Sequence, residues 1–114
     1  MNRLLNSRVY RQLLGITVVS VYILAMLPQE SAPTLEWGDK FNHILAFVVM
    51  SILLMLSYRI SLYRVALYMV AYGVWIEISQ HFTATRSADY MDIVADSIGV
   101  AIAILIYKAK VKLW

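Results

Sequence analysis

Residues 41–58 read FNHILAFVVMSILLMLSY, and none of these eighteen residues is Asp, Glu, Lys or Arg. About 20 mainly apolar residues suffice for a helix to cross a bilayer, so the stretch predicts a membrane-spanning helix. The whole chain agrees, since 61% of its 114 residues are hydrophobic and 15% are charged. A soluble domain is about 45–50% apolar, and a short chain leaves much of its surface in water. The composition therefore excludes a soluble globular protein and a disordered one, and predicts a single-domain integral membrane protein.

Three further apolar stretches lie on either side of this one. Residues 13–27 read LLGITVVSVYILAML and precede Pro28, residues 65–79 read VALYMVAYGVWIEIS, and residues 91–107 read MDIVADSIGVAIAILIY. We predict an all-α fold, an integral membrane bundle of four antiparallel transmembrane helices in one domain, 1–114. The predicted spans are 12–28, 41–58, 63–80 and 91–107. The basic start of the chain also fits a signal peptide, but no small-x-small cleavage site follows Leu27, so we expect a retained helix.

Lys and Arg predict the orientation of the bundle. Eight of the ten basic residues fall on one side of the predicted membrane: Arg3, Arg8, Arg11, Arg59, Arg64, Lys108, Lys110 and Lys112. The positive-inside rule makes this side cytoplasmic, so both termini should lie in the cytoplasm. The net charge of +3 then reports insertion into a lipid bilayer, and we expect no nucleic-acid partner.

The remaining polar residues gather near the ends of three spans at the predicted outer face. The candidates are Asp39, Lys40 and His43; Glu77 and Gln80; and Arg86, Asp89, Asp92 and Asp96. Spacings of three and four residues place the members of each group on one helical face. Only twelve uncharged residues separate Arg64 from Glu77, and eleven separate Asp96 from Lys108, so both acids should lie within the outer half of the membrane. An ionisable group at the membrane centre costs about 2.5 kcal/mol or more and normally faces the bundle interior.

Each candidate has a chemical interpretation and a structural one. We predict His43, Glu77 and Asp92 as catalytic residues, with support from Asp39 and Asp96. His43 would be a general base whose tautomer the Asp39 carboxylate fixes, or part of a capped polar network. Glu77 would be a general acid, or half of a buried ion pair that sets helix register.

The other predicted roles concern binding. Lys40, Gln80 and Arg86 would bind substrate, with the two cations on a phosphate or carboxylate, although they could instead neutralise nearby acids. Asp92 and Asp96 could share a proton or hold a divalent cation with Glu77 and His43. No zinc-type spacing and no cysteine is present, so we predict no metal site and leave the cofactor open.

Three segments resemble the VanZ-like family of small bacterial membrane proteins, from Asp39 to about Ala103. They read DKFNHILAF, EISQHF and RSADYMDIVADSIG, and they match the family pattern DK-x-x-H, E-x-x-Q-x-F and R-x-x-D-x-x-D-x-x-x-N-x-x-G in order. Two positions depart from the pattern, since Asp96 stands where the family usually has Asn and Ala103 where a second Gly is common.

The resemblance implies a multi-pass protein of the bacterial cytoplasmic membrane with a role in the cell envelope, because the family's named member is linked to teicoplanin resistance. Three functions are compatible with the polar cluster. The chain could be an enzyme, a hydrolase or transferase, acting on a lipid-linked envelope molecule with an anionic head group. It could be a binder that shields a peptidoglycan precursor. It could be a small transporter, which ranks last because the cytoplasmic half is apolar.

Overall fold

A computed structural model describes residues 6–26, 36–58, 60–82 and 90–113, with side chains at 6–26, 41–58, 60–82 and 91–109. These residues form four α-helices and contain no strand: α1 (Ser7–Met26), α2 (Glu36–Ser57), α3 (Leu62–His81) and α4 (Tyr90–Leu113). The predicted all-α class is confirmed. Each helix contains most of one predicted span, and α1, α2 and α4 extend it by about a turn or more into polar sequence.

Local signals place the helix ends. The Asn6 Oδ1 atom accepts a hydrogen bond from the Val9 backbone N–H at 3.0 Å, and the Ser61 Oγ atom accepts one from the Arg64 N–H at 3.2 Å. Both residues therefore cap a first turn whose N–H groups have no partner within the helix.

Contacts between helix ends set the direction of each helix. The start of α1 meets the end of α2, the ends of α1 and α3 meet, and the starts of α2 and α4 meet. The contacts that fix these directions are Arg11 Nε to Ser57 O, Gln80 Nε2 to Ala25 O, and His43 to Asp92 and Asp96. Consecutive helices are therefore antiparallel, and the end of α1, the start of α2, the end of α3 and the start of α4 share one end of the bundle. We call this end the polar end.

Small residues allow α2 and α4 to approach closely. A Cβ atom added at Gly99 would lie 2.5 Å from the Ile44 carbonyl oxygen and 2.9 Å from the Phe47 Cβ atom. Ala95 and Ala103, one turn away on either side, are buried. These three residues have small-xxx-small spacing, and they form a helix contact at which α4 lies against the α2 backbone.

The bundle has an apolar surface and a partly polar interior. Large hydrophobic side chains are more than half exposed on every helix, among them Ile16, Leu24, Leu45, Leu67 and Leu105. The buried polar side chains are Ser51, Ser57, Glu77, Gln80, Asp92 and Asp96. Among the described residues, α1 is the one helix both long and apolar enough to cross a bilayer, and 41–57 is a shorter apolar segment.

We expect Gly99→Ala to lower the free energy of unfolding by about 1–3 kcal/mol, because the new methyl group overlaps a backbone carbonyl that cannot move aside. Gly15→Ala is the matched control, since a Cβ atom there meets nothing within 4 Å. Alanine favours a helix over glycine by about 1 kcal/mol, so the control should be neutral or stabilising. Thermal unfolding of the two purified variants measures their stability. If Gly99→Ala and Gly15→Ala change stability equally, the packing role of Gly99 is contradicted.

Candidate functional site

The polar end contains a hydrogen bond between an imidazole and a carboxylate. The His43 Nδ1 atom lies 2.8 Å from Asp96 Oδ1, although the two residues are 53 positions apart in the chain. His43 is in the second turn of α2 and Asp96 in the second turn of α4. The contact exists because Gly99, less than one turn further along α4, brings the two helices together at Ile44.

A second carboxylate faces the other nitrogen of the same ring. Asp92 Oδ2 lies 3.7 Å from His43 Nε2, close enough for an electrostatic interaction but too long for a hydrogen bond. Asp92 and Asp96 are one helical turn apart, so α4 presents both carboxyl groups to the imidazole. The side chain of His43 is 13% exposed, against 4% for Asp92 and 1% for Asp96. The imidazole is therefore the member of this trio that solvent or a ligand reaches most easily.

The third wall of the site is α3. A Cβ atom added at Gly73 would lie 2.7 Å from Asp96 Oδ2, so the carboxylate rests directly against the α3 backbone. Glu77 follows Gly73 by one turn, and Asp92 precedes Asp96 by one turn on the antiparallel α4. Glu77 and Asp92 consequently lie at the same level of the bundle, and both are buried.

α1 contributes hydrogen bonds to the polar end, which the sequence did not predict. The Gln80 Nε2 atom donates to the Ala25 carbonyl at 2.9 Å, near the end of α1 where helix carbonyls lack partners. Nearer the middle of these two helices, the Tyr22 hydroxyl donates to Ser79 Oγ at 3.0 Å and the Tyr72 hydroxyl donates to the Val18 carbonyl at 2.6 Å. A row of hydrogen bonds thus joins α1 to α3.

The geometry is suited to proton transfer at the imidazole. A carboxylate at Nδ1 accepts that N–H and so leaves the lone pair on Nε2, the form in which histidine acts as a base. In the imidazolium form, both ring N–H groups would point at carboxylates. Within the described side chains, no group of three His, Asp or Glu residues is placed to hold a metal ion.

Of the eight predicted site residues, the five whose side chains the structure describes all lie at this end of the bundle: His43, Glu77, Gln80, Asp92 and Asp96. The carboxylate at His43 Nδ1 belongs to Asp96, which the sequence analysis gave only a supporting role. Gln80, predicted to bind substrate, directs its amide N–H to α1. Asp39 and Lys40 lie in the first turn of α2, but their side chains fall outside the described residues, as do Arg86 and Asp89 altogether.

The sequence analysis missed Tyr22, Tyr72 and Ser79. Tyrosine counts as hydrophobic in a search for spans, yet a tyrosine hydroxyl inside an apolar helix needs a hydrogen-bond partner. Tyr22 and Tyr72 in the middle of two predicted spans were therefore a usable signal for contact between those helices. The place of Gly73, one turn from Glu77, was visible in the sequence, but its contact with Asp96 depends on which residue of α4 lies opposite.

Comparison with known proteins identifies one family. The model of the family VanZ/LLP1 matches residues 4–112, nearly the whole chain. This match confirms the predicted resemblance and extends it beyond the segment 39–103. No curated protein and no solved structure matches the chain.

We expect His43 and Asp96 to be energetically coupled. His43→Ala, Asp96→Ala and the double variant form a cycle in which the free energies of unfolding should depart from additivity by about 1–3 kcal/mol, as for directly bonded residues. His81 is exposed at the end of α3, so a parallel cycle of His81→Ala with Asp96→Ala should be additive within about 0.5 kcal/mol. Additivity in both cycles would show that the 2.8 Å contact contributes nothing to stability.

Proposed function

Because the chain belongs to the VanZ/LLP1 family, we propose that it is a four-span protein of the bacterial cytoplasmic membrane that acts on a lipid-linked cell-envelope molecule. The reaction would take place at the polar end, which faces the outside of the cell. The observation that carries the proposal is the imidazole of His43 held between two buried carboxylates at the one end of the bundle where polar side chains collect.

The polarity of the bundle supports a membrane location for all four helices. In water, the exposed hydrophobic side chains and the buried carboxyl groups would both be unfavourable, whereas in lipid each arrangement is the expected one. α1 has a single buried residue among those described, Tyr10, so it differs from the apolar core helix of a soluble protein. Three side-chain hydroxyls also donate to the carbonyl four residues earlier in their own helix: Thr17, Ser57 and Ser97. This bond satisfies a hydroxyl without water.

The proposed chemistry follows from the hydrogen-bond pattern of His43. When Asp96 accepts a hydrogen bond from the Nδ1–H group, the lone pair of Nε2 is available. Nε2 can then take a proton from a water molecule or from a hydroxyl group of the bound molecule. Asp92 lies beside Nε2 and would stabilise the imidazolium that forms, as the carboxylate partner of a catalytic histidine does. Glu77, in its protonated form, would donate a proton to the leaving group as the bond to that group breaks, and the imidazolium of His43 would then give up its proton to restore both groups. Lys40, Arg86 and Gln80 remain proposed ligands of an anionic head group, which Arg would hold through two parallel hydrogen bonds.

A lipid-linked substrate fits the position of the site. The polar end would lie near the outer membrane–water interface, where a head group meets its lipid tail. The family's association with teicoplanin resistance favours a molecule of the peptidoglycan pathway. Apart from two serines, the described core of the opposite half is apolar, with Met50, Leu54, Met55, Val65 and Met69 buried. This core favours a site open to one side over a transport path.

A non-catalytic binder is the second candidate, and one observation favours it. His43 has carboxylates at both ring nitrogens. An imidazolium in that position is a rigid pair of donors that could orient the two aspartates toward a ligand without exchanging its own protons. In this role the protein would shield a peptidoglycan precursor from a glycopeptide.

The four-span topology is testable because the chain contains no cysteine. Single cysteines at positions 31 and 87 (Ser31→Cys, Ser87→Cys) should react with an impermeant maleimide in intact cells. Asn2→Cys, Tyr63→Cys and Leu113→Cys should react only after the membrane is opened. Tyr63 is the decisive position, since it is 77% exposed at the start of α3 and would be labelled from outside if α2 and α3 did not cross the membrane.

Loss of either proposed proton-transfer group should abolish the activity. We expect the chain to raise the teicoplanin tolerance of a sensitive bacterial host, and His43→Ala and Glu77→Gln to return tolerance to the level of the empty host. His81→Ala, at the other histidine of the chain, is the matched control and should retain full tolerance. Membrane fractions must contain the variants at wild-type amounts. Full tolerance in both site variants would eliminate the proposed function.

Mass spectrometry of envelope lipids separates the two candidates. An enzyme should change the mass of a lipid-linked species in cells that express the wild-type chain, and His43→Ala should reverse the change. A binder should co-purify with an unchanged lipid at about one molecule per chain. If the experiment finds no new lipid species and no bound lipid, both candidate functions are contradicted.

A further inference from the structure

We propose that Gly73 is a positioning residue for His43: its lack of a side chain creates the space in which the Asp96 carboxylate can bond to the imidazole. The functional meaning of this role rests on the proposed function, because His43 is the proposed base. The role itself is a statement about three residues on three helices and can be tested without any assay of activity.

Two contacts confine the Asp96 carboxylate from opposite sides. Its Oδ1 atom bonds to His43 on α2 at 2.8 Å, and its Oδ2 atom occupies a position only 2.7 Å from where a Cβ atom of residue 73 would lie. Real Cβ atoms do not approach an oxygen this closely, so any side chain at position 73 must displace the carboxylate or part the helices. Asp96 is 1% exposed, which leaves its carboxylate little room to move elsewhere.

The carboxylate is the group that would give way. It is attached through a Cβ atom that would lie 3.4 Å from the added methyl group, an ordinary contact, whereas Oδ2 is the atom in conflict. Rotation about the Cβ–Cγ bond relieves the conflict, but the same rotation carries Oδ1 out of line with His43 Nδ1. A substitution at Gly73 on α3 would therefore weaken the hydrogen bond that fixes the tautomer of His43. It would act through Asp96, without direct contact with His43.

Gly99 provides a contrast that separates positioning from packing. An added Cβ atom there meets a backbone carbonyl and the Phe47 Cβ atom, neither of which belongs to the site. Gly99 thus serves the approach of two helices, and Gly73 serves one carboxylate. Gly15, with nothing within 4 Å, serves neither.

Imidazole NMR tests the proposal directly. The chain contains two histidines, so ¹⁵N-histidine labelling gives two imidazoles, with His81 as an exposed internal reference. We expect Gly73→Ala to shift the His43 Nδ1 resonance in the same direction as Asp96→Ala does. Gly15→Ala, where the added methyl group meets nothing within 4 Å, should leave the His43 Nδ1 resonance at its wild-type position relative to the His81 signal. An unchanged Nδ1 resonance in Gly73→Ala would overturn the proposal.

A second experiment covers the case in which Gly73→Ala fails to fold. In an Asp96→Ala background no carboxylate occupies the space, so Gly73→Ala should no longer lower the melting temperature. Gly99→Ala should still lower it in that background, because the Ile44 carbonyl that the new methyl group meets is unchanged. If Gly73→Ala remains as damaging without the Asp96 carboxylate as with it, the glycine is a packing residue and the proposal is wrong. Neither the NMR result nor the melting temperatures depend on teicoplanin tolerance. The proposed function can therefore fail while the positioning role of Gly73 holds, and the positioning role can fail while the proposed function holds.

Discussion

The hydrogen bond between His43 and Asp96 is the interaction around which the polar end is arranged. A carboxylate that is 1% exposed must be compensated, and an apolar surface offers it nothing outside the bundle. The two residues come from different helices, so the bond requires α2 and α4 to meet in one register and at short range. Gly99 allows the two helix backbones to come close, and the buried alanines on either side continue this close contact along α4. The packing of one helix pair and the polar site are thus two consequences of the same approach.

α1 is attached to this arrangement by different means. Two tyrosines and a glutamine, all with long side chains, span the distance between α1 and α3 and end on carbonyl or hydroxyl oxygens. In a low-dielectric environment such bonds hold helices together where apolar packing has no driving force of its own. Ala25 also gains a donor at a helix end where its carbonyl would otherwise face the surroundings alone. α1 therefore adds a fourth side to the polar end, and it brings no charged residue there.

The sequence predicted the helices and the gathering of polar residues because both depend on local properties. Charge-free length marks 41–58, and spacing of three or four places Asp92 and Asp96 on one face. The identity of the carboxylate that bonds to His43 depends instead on the register between two helices. Asp39, four residues earlier, was the candidate that spacing offered, whereas Asp96 is 53 residues away. Spacing describes neighbours on one helix, while the register between helices depends on contacts such as Gly99 against Ile44, which no pattern of residue types encodes.

The sequence pattern that the chain resembles usually has an asparagine at position 96, and the geometry indicates what an aspartate changes there. An asparagine would offer one acceptor, so its amide oxygen would have to face His43 Nδ1 and its NH₂ group would lie against Gly73. An aspartate offers two equivalent oxygens, and either can face the imidazole. The space at Gly73 accepts both groups, since they differ little in size. The site can therefore accept either residue, and with aspartate both nitrogens of His43 are opposed by carboxyl groups instead of one.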